Sequence, residues 1–112
     1  MKKIGIIGLG MLGNAITLHL LDLGFEVTVY NRTKEKTLNV KVKGAHIAES
    51  PKEVSEKSEL VIIVVKNAEA VKQVSFGEKG IIEGNHEKLI VADMSTIEPL
   101  ESKNISKKFQ YF

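Results

Sequence analysis

The sequence predicts an α/β fold: a single three-layer α/β/α domain around a doubly wound parallel sheet. Short apolar runs alternate with amphipathic stretches along the whole chain, as expected when strands and helices alternate. One run, LVIIVV at Leu60–Val65, is continuously apolar, which is typical of a parallel strand buried on both faces. The chain has 112 residues, 43% of them hydrophobic, which suits one domain with a well-filled core.

The first half of the chain is predicted to contain three strands separated by two helices. Apolar, β-branched runs predict the strands Lys3–Ile7, Glu26–Tyr30 and Ala45–Ala48. Helical spacing of apolar residues predicts helices over Met11–Leu23 and Lys34–Val42. The first helix is expected to use an apolar face formed by Leu12, Ile16, Leu20 and Leu23, with Gly24 at its C-cap.

The second half continues the alternation. Ser50-Pro51-Lys52-Glu53 matches a capping box with proline at the first helical position, so a helix should begin there. Beyond the strand at Leu60–Val65, the pattern predicts a helix at Ala68–Ser75, a turn at Gly77–Gly84, a strand at Leu89–Asp93 and a helix at Glu98–Lys108.

Composition excludes several classes of function. The net charge is +2, with Lys and Glu spread along the chain, so no nucleic-acid partner is expected. With no cysteine there are no disulfides or thiolate metal sites, and no metal-ligand spacing is present. No apolar stretch approaches the roughly 20 residues that span a bilayer, and glycines break the apolar N-terminal run. We therefore expect no membrane partner and a cytoplasmic location.

The strongest motif is the glycine loop in KIGIIGLGMLGNAI, at residues 3–16. Gly8, Gly10 and Gly13 have the spacing G-x-G-x-x-G, and they follow the first strand and open the first helix. In a dinucleotide site, the first glycine permits a tight turn, the second allows the backbone to approach the pyrophosphate, and the third allows close helix packing. The alternative is a glycine-rich turn without a ligand; the βαβ context favours a Rossmann-type dinucleotide site.

The residues that follow the second strand indicate which dinucleotide the site would bind. NAD sites usually carry Asp or Glu there, which accepts hydrogen bonds from the ribose hydroxyls. Here the strand leads into Asn31-Arg32-Thr33, with Lys36 nearby, and Arg32 is the only Arg among 16 basic residues. A guanidinium suits a 2′-phosphate, so we expect NADP(H); the alternative is that Arg32 is an ordinary surface residue.

With these residues in view, the chain resembles the N-terminal domain of the β-hydroxyacid dehydrogenases. This family includes 3-hydroxyisobutyrate dehydrogenase and 6-phosphogluconate dehydrogenase. The likeness covers nearly the whole chain and rests on IGIIGLGMLG, VTVYNRT, GAHIAESPKEV, the apolar strand at residues 60–65, GIIEG and VADMSTIEP. Two departures are Leu12, where the family often has Met, and Lys66, where it commonly has Pro.

The resemblance implies a set of site residues. The pyrophosphate would be bound by the loop residues Gly8, Leu9, Gly10, Met11, Leu12 and Gly13. The 2′-phosphate would be bound by Asn31, Arg32 and Thr33, with Lys36 nearby. Val65 and Lys66 would line the cofactor, Thr96 would contact the nicotinamide side, and Ser95 would bind the substrate carboxylate. From the residues alone, Ser95 and Thr96 serve equally well as N-caps of the following helix.

The resemblance also implies what residues 1–112 lack. Family members carry a helical second domain that supplies a catalytic lysine, so no catalytic residue is assigned here. A small hydroxy acid or semialdehyde would bind only with that domain, and we expect this chain to be a fragment or a shortened reading frame. Apolar surface left uncovered would favour self-association as a homo-oligomer.

Two functional hypotheses follow. The first is an NADP(H)-dependent dehydrogenase or reductase, or its cofactor domain, with an imine reductase as a variant. The second is a non-catalytic nucleotide-sensing module. Such modules usually keep an acidic residue after the second strand, so Asn31-Arg32-Thr33 favours the oxidoreductase.

Overall fold

A computed structural model describes residues 2–94, and the helix predicted at Glu98–Lys108 lies outside them. The strands are β1 (Lys3–Ile7), β2 (Glu26–Tyr30), β3 (His46–Ile47), β4 (Leu60–Ile63) and β5 (Ile90–Asp93). The helices are α1 (Met11–Asp22), α2 (Leu38–Lys41), α3 (Pro51–Glu56) and α4 (Ala68–Phe76). Two short 3₁₀ turns cover Lys34–Thr37 and Ile81–Gly84.

The five strands form one parallel sheet in the order β3-β2-β1-β4-β5. The chain therefore moves outward from β1 to β3, returns, and continues on the other side of β1. Ile7, the last residue of β1, is paired with Tyr30 on one side and with Ile63 on the other. In open α/β sheets, ligands bind where the strand order reverses, outside the carboxyl ends of the strands. The predicted doubly wound α/β fold is confirmed, and its reversal point lies directly after Ile7.

Helices cover both faces of the sheet, as predicted. On one face, Ile4 and Ile6 of β1 pack with Val27 and Val29 of β2 and with Val40 of α2. On the other face, β1 and β4 pack against α3 and α4, and the shared buried core consists of Ile7, Ala48, Val54, Val61, Ile63, Val71 and Ile81. Alternate residues of each strand point to opposite faces, so a strand can serve both cores.

Strand β4 departs from the prediction in two ways. It ends at Ile63 and not at Val65, although the Val64 N–H still donates to the Ile7 carbonyl at 2.8 Å; Val64 and Val65 lie beside Gly8 of the glycine loop. It is also not buried on both faces: Val61 and Ile63 are fully buried, whereas Leu60 and Ile62 remain half-buried. On that face α1 packs mainly over β1 and β2, and Leu60 and Ile62 pack against the same buried cluster.

Helix α1 also packs differently from the prediction. Its fully buried residues are Gly13 and Thr17, whereas Leu12 and Leu23 are about half exposed or more. Ile16 and Leu20 are partly buried against the sheet. At Gly13 a small residue is required because the first turn of α1 lies directly on the glycine loop, where a Cβ would overlap the Gly8 carbonyl.

The helix predicted over Lys34–Val42 forms in two parts, a 3₁₀ turn followed by the short α2. The Thr37 hydroxyl donates a hydrogen bond to the Lys34 carbonyl at 2.6 Å, which closes the tighter turn. The predicted third strand is shortened to His46–Ile47, although the flanking Ala45 and Ala48 are buried.

The capping box is confirmed, with a shift of one residue in one of its bonds. The Ser50 hydroxyl accepts the Glu53 N–H at 3.2 Å, and the Glu53 carboxylate accepts the N–H of Glu49, one position before the N-cap, at 2.9 Å. Lys57 lies 3.1 Å from the same carboxylate. The backbone hydrogen bond from Glu49 and then the Lys57 ammonium hold the pKa of Glu53 below its ordinary value.

Gly5, in the middle of β1, has a packing role that the sequence pattern did not reveal. A Cβ built there would overlap Val54 Cγ1 and lie 2.6 Å from the Ser58 hydroxyl. Helix α3 and the segment after it therefore lie directly on the backbone of β1. This close approach is possible only because position 5 has no side chain.

We predict that Gly5→Ala lowers the free energy of unfolding by about 1–3 kcal/mol, because the new methyl group overpacks this contact. Urea denaturation measures the change. Val54→Ala removes one of the two groups in the way, so Gly5→Ala should cost less in that background. Equal costs in both backgrounds would contradict the assigned contact.

We predict that Glu53→Gln weakens the dependence of stability on acid pH. A carboxyl whose pKa is lowered by folding stabilises the protein above its unfolded pKa, and that contribution is lost as the pH falls through the folded pKa. The wild type should therefore lose up to about 1 kcal/mol more than the variant below pH 4.5. Thermal unfolding between pH 7 and pH 3 measures the difference. Glu59, whose pKa is also lowered, contributes equally in both proteins.

Candidate nucleotide-binding site

The glycine loop connects β1 to α1 at the reversal point of the sheet. Gly8 has a φ of +103°, and its N–H donates to the Tyr30 carbonyl at 2.9 Å, which extends the β1–β2 ladder. A Cβ on Gly8 would overlap the Val64 carbonyl and lie 3.1 Å from Val65 Cγ1. Both the backbone conformation and the available space therefore require glycine at position 8.

Gly13, in the first turn of α1, is required by close backbone contact. A Cβ there would overlap the Gly8 carbonyl. The sequence predicts that Gly13 lets the helix approach the sheet; the structure shows that the nearest group is the loop itself. The Thr17 hydroxyl, fully buried, donates to the Gly13 carbonyl at 2.8 Å and anchors the next turn.

Nothing in the described residues requires glycine at position 10. Its φ of −69° and ψ of −166° suit any amino acid, and a Cβ built there meets no atom within 4 Å. Position 10 instead leaves open backbone at the mouth of the loop. This is the property that a bound pyrophosphate needs at the second glycine.

The N-terminus of α1 lacks the side-chain cap that α3 and α4 carry. Gly10 is its N-cap residue, no side chain caps it, and its first turn contains no acidic residue. By contrast, α3 is capped by Ser50 and α4 by Asn67. Uncapped N–H groups and the positive end of the helix dipole suit an anion.

Asn31, the first residue after β2, contacts the glycine loop directly. Its side-chain oxygen accepts the Leu9 N–H at 2.8 Å, and its side-chain nitrogen donates to the Thr33 carbonyl at 2.9 Å. The same Thr33 carbonyl accepts the Lys36 N–H at 3.1 Å. Asn31 thus joins the loop to the corner after β2.

The charges at this corner are mostly unpaired. Arg32, Thr33 and Lys36 are exposed, and the guanidinium of Arg32 makes no hydrogen bond or ion pair with residues 2–94. Lys34 differs, because it pairs with Glu49 at 2.9 Å, which raises the pKa of Lys34. Within the described residues, the Arg32 guanidinium is therefore free, and Arg32 directly follows Asn31, which contacts the loop.

The remaining predicted site residues lie in several places. Met11 and Leu12 stand exposed at the start of α1, and Met11 is 94% exposed. Val65, partly buried, and Lys66, exposed, follow β4 at the same edge of the sheet as the loop. Ser95 and Thr96 lie outside the described residues, just beyond the end of β5.

No side-chain cluster among residues 2–94 could hold a metal ion. His86, one of the three histidines, places its Nε2 within 3.1 Å of the Ser55 carbonyl and 2.9 Å of the Ser58 carbonyl, so it closes the end of α3. In the same range, no helix has the length and apolar character needed to cross a membrane.

A parallel sheet that reverses beside a glycine loop, with an uncapped helix N-terminus and a free guanidinium, defines a dinucleotide-binding domain of the Rossmann type. Residues 3–111 match the family described as the NAD binding domain of 6-phosphogluconate dehydrogenase, and the chain belongs to that family.

The chain is similar to longer oxidoreductases. It is 39% identical to an uncharacterised oxidoreductase of Bacillus subtilis, covering 98% of this chain and 40% of the relative. It is 38% identical to probable 3-hydroxyisobutyrate dehydrogenase-like 3, mitochondrial, of Arabidopsis thaliana, covering 87% and 30%. The chain thus spans well under half the length of these relatives.

Solved structures show the same fold. The NADP⁺ complex of Psf3 superposes with a TM-score of 0.89 at 28% identity, covering 96% of this chain and 38% of that one. An imine reductase variant from Myxococcus stipitatus, in complex with NAD⁺, superposes with a TM-score of 0.90 at 16% identity, covering 99% and 38%. The chain is therefore an NAD(P)-binding domain of an oxidoreductase family.

We predict that Gly8→Ala destabilises the protein and that Gly10→Ala leaves its stability nearly unchanged. Gly8→Ala should lower the free energy of unfolding by at least about 1–2 kcal/mol, because of its positive φ and the Val64 carbonyl. Gly10→Ala should change it by less than about 0.5 kcal/mol. Urea denaturation of both variants tests this assignment, and a comparable loss for Gly10→Ala would contradict it.

Proposed function

We propose that this chain binds NADP(H) as part of an enzyme that transfers hydride between the nicotinamide and a small hydroxy acid or its semialdehyde. The observation that carries the preference for NADP(H) is the unpaired guanidinium of Arg32 at a corner where Asn31, and not Asp or Glu, directly follows β2. The membership of the family supports the dinucleotide, and the relatives support the reaction class.

The loop fits the shared pyrophosphate part of the two dinucleotides. Open backbone at Gly10 and the uncapped N-terminus of α1 provide N–H donors and a positive dipole end without a side chain in the way. Gly8, Leu9, Met11, Leu12 and Gly13 would complete the pyrophosphate site.

The corner after β2 fits the 2′-phosphate that distinguishes NADP(H). A guanidinium offers several N–H donors in a planar fork, which suits a phosphate better than it suits ribose hydroxyls. Arg32 would bind this phosphate, with Asn31 and Thr33 beside it. Lys36, exposed in the 3₁₀ turn, would add a second cation.

When bound, the nicotinamide supplies the hydride chemistry. This chain's residues would bind and orient it: Val65 and Lys66 along the cofactor, and Thr96 on the nicotinamide side. Ser95 would bind the substrate carboxylate. The catalytic lysine and the rest of the substrate pocket would come from a second domain. An imine substrate stays a variant within this class.

The oligomeric state and the cellular location of the protein also stay predictions. A homo-oligomer is expected where apolar side chains are exposed, as at Ile90 and Met94 of the β5 region. A cytoplasmic location rests on the sequence pattern alone, since one relative is named as mitochondrial.

We predict that Arg32→Ala weakens NADPH binding by roughly tenfold to a hundredfold and leaves NADH binding nearly unchanged, because only NADPH carries the 2′-phosphate. Parallel titrations that follow nicotinamide fluorescence measure both affinities. Lys72→Ala, which removes an exposed cation on α4, is the charge-matched control. Equal losses for both cofactors, or a similar loss in the control, would contradict the proposed role of Arg32.

A further inference from the structure

Asn31 is held at both ends by backbone groups, and this suggests a role other than that of a phosphate ligand. We propose that Asn31 is a positioning residue that fixes the glycine loop to the corner after β2. Binding of NADH and NADPH would then depend on it alike. The inference rests on the proposed function in one respect, since it assumes that the chain binds a dinucleotide.

The orientation of the Asn31 amide follows from its two partners. The Leu9 N–H is a donor, so the group 2.8 Å from it must be the side-chain oxygen. The Thr33 carbonyl is an acceptor, so the group 2.9 Å from it must be the NH₂. The amide satisfies both partners at once, whereas an ionised carboxylate of the same shape could satisfy only the first.

These two partners lie in the parts of the site that would bind different parts of the cofactor. Leu9 stands between Gly8 and Gly10, in the loop proposed for the pyrophosphate. The Thr33 carbonyl also accepts the Lys36 N–H, so it belongs to the turn that carries the corner's cations. Leu9 and Asn31 are 22 residues apart in the sequence. The Asn31 side chain therefore fixes the glycine loop relative to the corner after β2.

Preorganisation of the loop has a different consequence from direct contact with the 2′-phosphate. A loop that must be ordered on binding lowers the affinity for any ligand that uses it. NADH and NADPH share the pyrophosphate, so loss of the Asn31 bonds should weaken both by a similar factor. A direct ligand of the 2′-phosphate would instead affect NADPH alone, as expected for Arg32.

The Asn31→Asp variant distinguishes the effects of the two hydrogen bonds that the Asn31 amide makes. Asp would still accept the Leu9 N–H, but its second oxygen would face the Thr33 carbonyl without a proton to share. Its negative charge would also lie beside Arg32 and repel a 2′-phosphate. Asn31→Asp should therefore keep the loop in place and weaken NADPH binding selectively. Because Asp has nearly the same shape as Asn, this variant is the matched control for Asn31→Ala.

The experiment combines dinucleotide titrations with amide hydrogen exchange of the 112-residue chain. Affinities for NADPH and NADH are measured for the wild type and for Asn31→Ala, Asn31→Asp and Arg32→Ala. Exchange of the Leu9 N–H is followed by NMR in the same proteins without cofactor, and thermal unfolding checks that each is folded.

The expected result is a loss of about tenfold for both cofactors in Asn31→Ala, with their ratio preserved and the protection of Leu9 lost. Arg32→Ala and Asn31→Asp should keep the exchange protection of the Leu9 N–H and should lose more affinity for NADPH than for NADH. The inference is overturned if Asn31→Ala weakens NADPH but not NADH. It is also overturned if Leu9 exchanges in the wild type as fast as Gly10, a measurement that needs no variant.

Failure of the proposed function looks different. If the wild type binds neither dinucleotide, the assignment of the cofactor falls, whatever Asn31 does. The exchange of Leu9 then still decides whether Asn31 holds the loop, because that comparison uses no ligand.

Discussion

The close contact between the backbones of the glycine loop, helix α1 and the chain after β4 determines the rest of this site. Gly8 lies against the Val64 carbonyl, and Gly13 lies against the Gly8 carbonyl, so three segments meet without an intervening side chain. Because β1 is flanked by β2 and β4, this meeting point falls at the reversal of the sheet. The position of α1, the open backbone at Gly10 and the direction of the helix dipole all follow from it.

The fold was predictable because its signals are local. Apolar runs gave the order of the elements, the capping box placed the start of α3, and the glycine spacing placed the turn between β1 and α1. The errors arose where a tertiary contact decides. Leu12 and Leu23 have helical spacing yet are exposed, whereas Gly13 and Thr17 are buried, and at position 13 close contact with the Gly8 carbonyl excludes any side chain.

The site was only partly predictable for a similar reason. The types of residue at positions 8, 10, 13 and 32 indicate phosphate chemistry by themselves. That Asn31 reaches Leu9 cannot be inferred from spacing, because it depends on the register of β1 against β2. Gly5 is a comparable case: its neighbour Val54 is distant in sequence and meets it only through the packing of α3.

Strand β1 pairs with β2, which is near it in the sequence, and with β4, which is much further along the chain. This difference has a consequence for the order of folding. Ile4 is paired with Val27 on one side and with Leu60 on the other. Closing the longer loop costs more chain entropy, so the unit from β1 to β2 is expected to assemble before β4 joins it. Since Gly8 is seated against the residue that follows β4, the nucleotide loop should reach its final shape late. A nascent chain that has not yet exposed Val64 would therefore hold the glycine motif without its binding geometry.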